Sequence, residues 1–512
     1  MPEDPWLQHW DDVIVGGGSA GATLAARLSQ DPERSVLLLE AGVDRLGEPQ
    51  YSYPLGMSVL SGYNWDYTAY MGTEPRGRHG PYGVGKLLGG SSAVNGAIAL
   101  RGLAADFDSW AAGGSPEWTW DAVLPFFRAL ETDADFTDAT HGSEGPVPVR
   151  RPAVDEFDPV ALAFLHACKE LGIPQTADMN TGAVGAGPLP SNARDGRRIS
   201  TADAYLEPAR HRHNLSVWTR TEVSRVLFDG NRAVGVQALR EGRPVQVRAD
   251  RVTLCAGGIN TPLILERSGI GENRRLASLG VPVVAELPGV GEDLADHVAT
   301  VVWAVPRAGV CRKGVPWHQV MARVAHDGGA PGLGVFLASN VTEETIPEIG
   351  KVTEDRIAVV LSAMLLDPDS RGAVHATGPD PAHAPVITLG LLSEQSDVER
   401  LMEGTRLLWS LMNASAMTRT LEHVLLWTER MIQDEDRLRK AVRRFATPMW
   451  HPSGTARMGP ERDASSVVDQ YFRVHQVDGL RVVDSSVIPS PLLSPMNLSC
   501  IMLAERAAAW MA

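Results

Sequence analysis

Asp12-Val13-Ile14-Val15-Gly16-Gly17-Gly18-Ser19-Ala20-Gly21 decides the fold of this chain. Its first residues read as a short buried strand, the glycines as a tight turn, and the apolar run from Ala22 to Leu28 as the helix that follows. Gly16 permits the turn, Gly18 lets the backbone approach a pyrophosphate, and Gly21 lets the helix lie close to the strand. The helix N-terminus at Ser19 and Ala20 offers free N–H groups and the positive end of a dipole to an anion. A second strand, Val36 to Leu39, ends in Glu40, nineteen residues beyond Gly21, where a carboxylate would meet a ribose hydroxyl with Ala41 beside it. The motif predicts a dinucleotide site without separating FAD from NAD. Only one such unit is legible where an NAD-dependent flavoprotein would need two, so the electrons are expected to come from the substrate.

Around this unit the chain has 512 residues, 44% of them hydrophobic, enough for two domains because single cores rarely grow past about 250–300 residues. A net charge of −15, from 62 acidic and 47 basic residues with no long basic run, argues against a nucleic-acid surface. Cys168, Cys255, Cys311 and Cys500 are scattered, with no C-x-x-C or Cys/His metal spacing, and are expected to be buried thiols in a reducing compartment. The start, Met1 to Trp6, lacks a charged segment followed by an apolar one, and nowhere do about 18 uncharged apolar residues run together. A cytoplasmic protein without a transmembrane segment is expected. With no repeat and no linker-like block, the two domains should be interwoven.

Further segments follow in order. Gly85 to Gly96 is a glycine- and serine-rich turn suited to close approach to a flat ring. Leu254-Cys255-Ala256-Gly257-Gly258-Ile259-Asn260-Thr261-Pro262 comes next, then Leu287 to His297 (Leu-Pro-Gly-Val-Gly-Glu-Asp-Leu-Ala-Asp-His), His451 to Gly459, and Val482 to Pro489. Together, in this order and across nearly the whole chain, they resemble the signature segments of the glucose-methanol-choline oxidoreductases.

That resemblance implies an α/β protein: a discontinuous Rossmann-type FAD-binding domain over 1–150, 200–300 and 445–512, interleaved with a substrate domain over 151–199 and 301–444. The latter would be built on an antiparallel sheet packed with helices. It implies Gly89, Asn95, Gly96 and Ala97 around the flavin ring, the Val223 backbone and Trp65 near the adenine, and Asp484 near the pyrophosphate or ribitol. Ser485, Asn497 and Leu498 complete the expected cofactor contacts. Val94 stands where some members carry a histidine bonded to the flavin, so FAD should be held without a covalent bond.

Alcohol oxidation needs a base for the hydroxyl proton while hydride leaves the same carbon, and histidine suits that work near neutral pH. By resemblance the base is His451, and His297 has a structural role. Family members place a second histidine or asparagine before the last helix, but here that position falls on Pro495, which has no donor. Ser494 reads as an N-cap, Pro495 as the first helical residue, and Leu498, Ile501, Met502 and Glu505 as one face. Asn497, in the first turn, is the nearest side chain that could act as catalytic partner, with Ser494 or a water as the replacement. Asp355 to Leu366 reads as one apolar strand where family members usually carry a longer strand-loop-strand excursion, which by that comparison implies either a wider mouth for a bulky or extended alcohol or loop loss with no functional meaning. The acceptor stays open among oxygen, a quinone, a cytochrome and the peptide-derived cofactor mycofactocin. The alternative is a lyase of the hydroxynitrile type, which shares the fold but typically presents two histidines.

Overall fold

The computed structural model describes residues 8–45, 62–325, 331–342, 353 and 356–512. The opening Met1 to Trp6 and Asp355 lie outside this range.

The opening motif forms β1 (His9–Val15), α1 (Ser19–Leu28) and β2 (Val36–Leu39). The helix begins three residues earlier than its apolar run suggested, because Ser19 to Gly21 are already helical and supply its first turn. The chain returns much later with β3 (Leu215–Trp218), β4 (Thr221–Asp229), β5 (Arg232–Arg240) and β6 (Arg243–Leu254). These strands form one sheet in the order β3-β2-β1-β6-β5-β4. β3, β2, β1 and β6 run parallel, as does Leu480–Val482 at the end of β6, while β5 and β4 are an antiparallel extension. β6 feeds α2 (Gly257–Arg267), so the C-terminal ends of the central strands β1 and β6 both open into helix N-termini. In an open parallel sheet this crevice is where a ligand binds.

A second sheet comprises β7 (Val298–Pro306), β8 (Val320–Val324), β9 (Leu333–Val341), β10 (Ala358–Leu365) and β11 (Leu421–Leu425). Its order is β11-β7-β10-β9-β8, with Gly185–Pro188 outside β8, and every pairing is antiparallel. The period of two along its strands sorts side chains to opposite faces. Val302, Val335, Leu337, Leu361 and Ala363 join the core under α3 (Gln395–Asn413), whose Leu401 and Leu408 cover them. Their neighbours Trp303, Phe336, Ala338, Val360, Ser362 and Met364 face a cavity instead.

The last helix, α4 (Asn497–Met511), runs beside α1. Asn497 Oδ1 accepts from Ser19 Oγ at 2.8 Å, and eight residues further along each helix Arg27 donates twice to the Glu505 carboxylate at 2.8 Å. Equal spacing makes the helices parallel, with both N-termini at the crevice. The expected start at Pro495 is corrected: Met496 is the N-cap, and Ser494, fully buried, does not cap. The reason is long-range. Leu493 N–H donates to Asp106 at 3.1 Å, its carbonyl accepts from Arg323, and the Leu492 carbonyl binds His297 at 2.8 Å, so the segment is held outside the helix until residue 497.

Of the cysteines, Cys168, Cys255 and Cys500 are buried thiols, whereas Cys311 is only partly covered. Among the described residues no helix is long and apolar enough to cross a membrane.

Candidate active site

A cavity of about 550 Å³ runs from the crevice of the first sheet to the face of the second. At the crevice, α1 has neither a side-chain cap nor an acidic residue in its first turn, so its leading N–H groups are left for an anion. Gly18 faces Gly90 so closely that a Cβ on Gly90 would lie 2.7 Å from the Gly18 Cα. Gly21 packs rather than lines: a Cβ there would stand 1.8 Å from the Gly16 carbonyl oxygen. This cradle fits a pyrophosphate by size, by donors and by the aligned dipoles of α1 and α4.

Glu40 reaches the cavity with its carboxylate accepting from the N–H groups of Gly17 and Gly42, both at 2.7 Å, and burial pushes its pKa up to about 7. Ala41 and Val223 line the same end. Trp65 stacks on Tyr67 with ring centroids 5.6 Å apart, and the Lys86 ammonium lies 3.8 Å from its ring centre. Asp484 also touches the cavity, but its carboxylate is engaged in structure. One oxygen accepts from the Gly257 N–H and the Thr261 hydroxyl, and the other from the backbone and hydroxyl of Ser486. It thereby braces the start of α2, where Ser485 Oγ accepts from Gly258 N–H at 3.2 Å.

Asn95 and Gly96 line the middle of the cavity, as does Val94, which carries no nucleophile for a flavin bond. Gly89, Ala97 and Leu498, expected as contacts, stand behind the wall. Gly89 adopts φ 88° and donates to Gly17 O, docking one turn on the other. Ala97 is fully buried at φ 53°, with its N–H on Asn95 Oδ1, and Leu498 is fully buried in the core. Asn497 lies on the wall with its oxygen committed to Ser19, which ties it to the α1 end of the site.

At the far end His451 and His297 meet. Their Nδ1 atoms are 2.9 Å apart with the rings edge to face, and His297 Nε2 is 2.8 Å from the Leu492 carbonyl oxygen. A carbonyl can only accept, so Nε2 of His297 carries a proton. Burial lowers the His297 pKa to about 4, so the ring is neutral and its Nδ1 is an acceptor. The hydrogen between the rings therefore belongs to His451 Nδ1. Burial, and then His297, hold His451 well below the usual histidine range, leaving its Nε2 as a free lone pair. His297 is thus more than the structural residue the sequence suggested: it sets the tautomer of its neighbour. Asp296 holds the same residue by its backbone, accepting from His451 N–H at 2.9 Å and from the Tyr82 hydroxyl at 2.6 Å. Burial pushes this carboxyl up to about 7. Trp450, just before His451, sits at φ 58°, a conformation costly for a bulky residue and typical of sites held by their surroundings.

Two further cavity features escaped the sequence. One is the aromatic wall of Trp303, Trp317 and Phe336, and the other is His318. Nothing local distinguishes these residues from core, since their meeting depends on strand pairing.

The sequence matches the GMC oxidoreductase family over residues 10–299 and 368–504. It is 35% identical over 530 residues to the 5-(hydroxymethyl)furfural oxidase of Methylovorus sp., covering 98% of each chain. It is also 35% identical over 535 residues to an oxygen-dependent choline dehydrogenase of Chromohalobacter salexigens, covering 98% of this chain and 94% of that one. The crystal structure of pyridoxine 4-oxidase from Mesorbium loti superposes with a TM-score of 0.90 at 32% identity, covering 98% and 99% of the two chains. Likeness that runs from end to end, in sequence and in backbone, around a cradle shaped for a dinucleotide makes this chain a member of the GMC oxidoreductase family, FAD-dependent enzymes that oxidise alcohols.

Proposed function

We propose that this chain oxidises an uncharged alcohol to its aldehyde or ketone, with His451 as the base and oxygen as the electron acceptor. The observation that carries the reading is the His451–His297–Leu492 arrangement, which leaves one unprotonated nitrogen on a histidine that lines the cavity. FAD, when bound, supplies the acceptor for the hydride. His451 Nε2 takes the hydroxyl proton as the carbon–oxygen double bond forms and hydride leaves the same carbon. Asp296 fixes the backbone of the residue that carries that nitrogen.

In this reading the α1 turn holds the pyrophosphate, Glu40 the ribose, and Asn95 and Gly96 border the flavin ring. Asn497, tied to Ser19, belongs to the cofactor rather than to the alcohol, and the parallel N-termini of α1 and α4 stabilise negative charge beside them. The substrate face offers no charged side chain on β7, β9 or β10, which favours a neutral alcohol. Oxygen is assigned because two of these relatives are oxidases and the third is an oxygen-dependent dehydrogenase.

The test is anaerobic loss of oxidised-flavin absorbance on adding primary alcohols, secondary alcohols, sugars and cyanohydrins, followed by air. Bleaching with an alcohol and rapid recovery in air are expected. Recovery only with a quinone would replace the acceptor, and aldehyde release from a cyanohydrin without bleaching would replace oxidation with a lyase reaction. His451→Ala should retain FAD yet slow flavin reduction by about a hundredfold or more, the scale of a lost acid–base group. Reduction at the normal rate would remove His451 from the chemistry.

A further inference from the structure

His318 precedes β8 and lines the same cavity, outside every motif of the chain. Its Nδ1 lies 3.0 Å from the Leu337 carbonyl oxygen on β9, so Nδ1 carries the hydrogen. Burial lowers its pKa and keeps the ring neutral, and Nε2 is then a bare acceptor. No side chain or backbone group among the described residues donates to it. A Cβ built on Gly96 would stand 3.6 Å from this nitrogen, which places it against the turn that borders the flavin ring in the proposed reading. The same cavity is lined by the buried Trp317, its neighbour in sequence, and by Phe336, Trp303 and Ser362. The Ser362 hydroxyl has the Phe336 carbonyl within reach at 3.5 Å. A wall with three large aromatic side chains, no charged side chain from β7, β9 or β10, and the His318 acceptor suits a planar apolar body that carries a donor placed for that nitrogen.

We propose that His318 determines specificity by accepting a hydrogen bond from a second donor group on an aromatic alcohol, such as a phenolic hydroxyl, distinct from the carbinol that reacts at His451. The inference rests on the alcohol-oxidase reading for its reacting end, but its recognition element is separate. A substrate that supplies the donor satisfies a nitrogen that would otherwise lose water without replacement. One lacking it leaves that nitrogen buried and unpaired, a difference of about tenfold to a hundredfold in specificity.

The experiment compares the holoenzyme and its His318→Phe variant on hydroxybenzyl alcohols and their methoxybenzyl counterparts, in ortho, meta and para pairs. These are electronically similar and differ in the donor. For at least one pair the holoenzyme should favour the hydroxyl compound by about tenfold or more in kcat/KM for flavin reduction, and the variant should erase that preference. Titration calorimetry with phenol and anisole gives a readout free of turnover: tighter binding of phenol should vanish in the variant. Equal rates within every pair for the holoenzyme, or equal losses on both members in the variant, would overturn the role of His318 while leaving alcohol oxidation intact. Failure of all alcohols to bleach the flavin would instead overturn the oxidase reading and this proposal with it. Because the pairwise preference and the phenol–anisole difference are measurable in the unmodified holoenzyme, a variant that failed to fold would not shelter the idea.

Discussion

At the scale of the residue, the site turns on which nitrogen carries a proton. In free solution a histidine would be half charged near pH 6.5 and would exchange between tautomers. Here the Leu492 carbonyl decides the state of His297, and His297 decides that of His451. Both rings stay neutral well below the usual histidine range, so the base is competent wherever His451 remains unprotonated. The rate of flavin reduction should therefore lack the acid limb of an ordinary histidine, and a step near pH 7 would belong to the Asp296 carboxyl that holds the His451 backbone. His297→Ala removes both the acceptor that orients His451 and the neighbour that depresses its pKa. Its acid limb should move toward higher pH without reaching that of an ordinary histidine, because burial, the larger cause, remains, and its plateau should fall by about tenfold to a hundredfold. A variant with a lower plateau and an unchanged pH profile would make His297 merely a packing residue. None of this is written in the Asp296-His297 dipeptide, whose ring partner is more than 150 residues away in sequence.

At the scale of the element, the opening strand, turn and helix were legible because their determinants are local: a short apolar run, glycines where backbone must approach backbone, and an acid at the end of β2. The start of α4 was not. Ser494 and Pro495 satisfy the local rules for a helix start, yet three buried partners from distant segments hold that stretch outside the helix. The substrate face of the second sheet was equally hidden, because β10 is apolar on both sides and only its pairing tells Val360 and Met364 from Leu361 and Ala363. The pairing of α1 with α4 makes a direct prediction. Glu505 is buried and shared by Arg27 and the Tyr205 hydroxyl, while Arg27 keeps about a quarter of its surface in solvent. Glu505→Ala should cost about 2 kcal/mol, less than the loss of a fully buried pair because Arg27 can recover some hydration. It should also weaken FAD retention, since the two N-termini are held side by side by this end of the helices. Differential scanning calorimetry and the flavin-to-protein absorbance ratio check both. An unaltered ratio in a destabilised variant would separate helix pairing from cofactor binding.

At the scale of the whole molecule, the cavity lies where segments far apart in sequence converge: the turn after β1, the start of α2, the faces of β7, β9 and β10, and the loop before α4. None of these closes the site alone. A cofactor lodged there touches elements that the chain must fold separately and then bring together, so it should act as a common strut as well as a reagent. Any ligand that binds only the folded state stabilises it by mass action, about 2.7 kcal/mol at a hundredfold excess over its Kd. For a chain of this size that should raise the melting temperature by about 2–3 °C relative to enzyme stripped of flavin. Because Val94 offers no atom for a bond, the same melting experiment should end with all of the FAD free in solution, recoverable after precipitation of the protein and able to restore both colour and melting temperature when added back. Flavin that stays with the precipitate would demand an attachment point elsewhere on the cavity wall. An unchanged melting temperature would mean that the segments around the crevice are already locked without it, and that the cradle at α1 is rigid before the dinucleotide arrives.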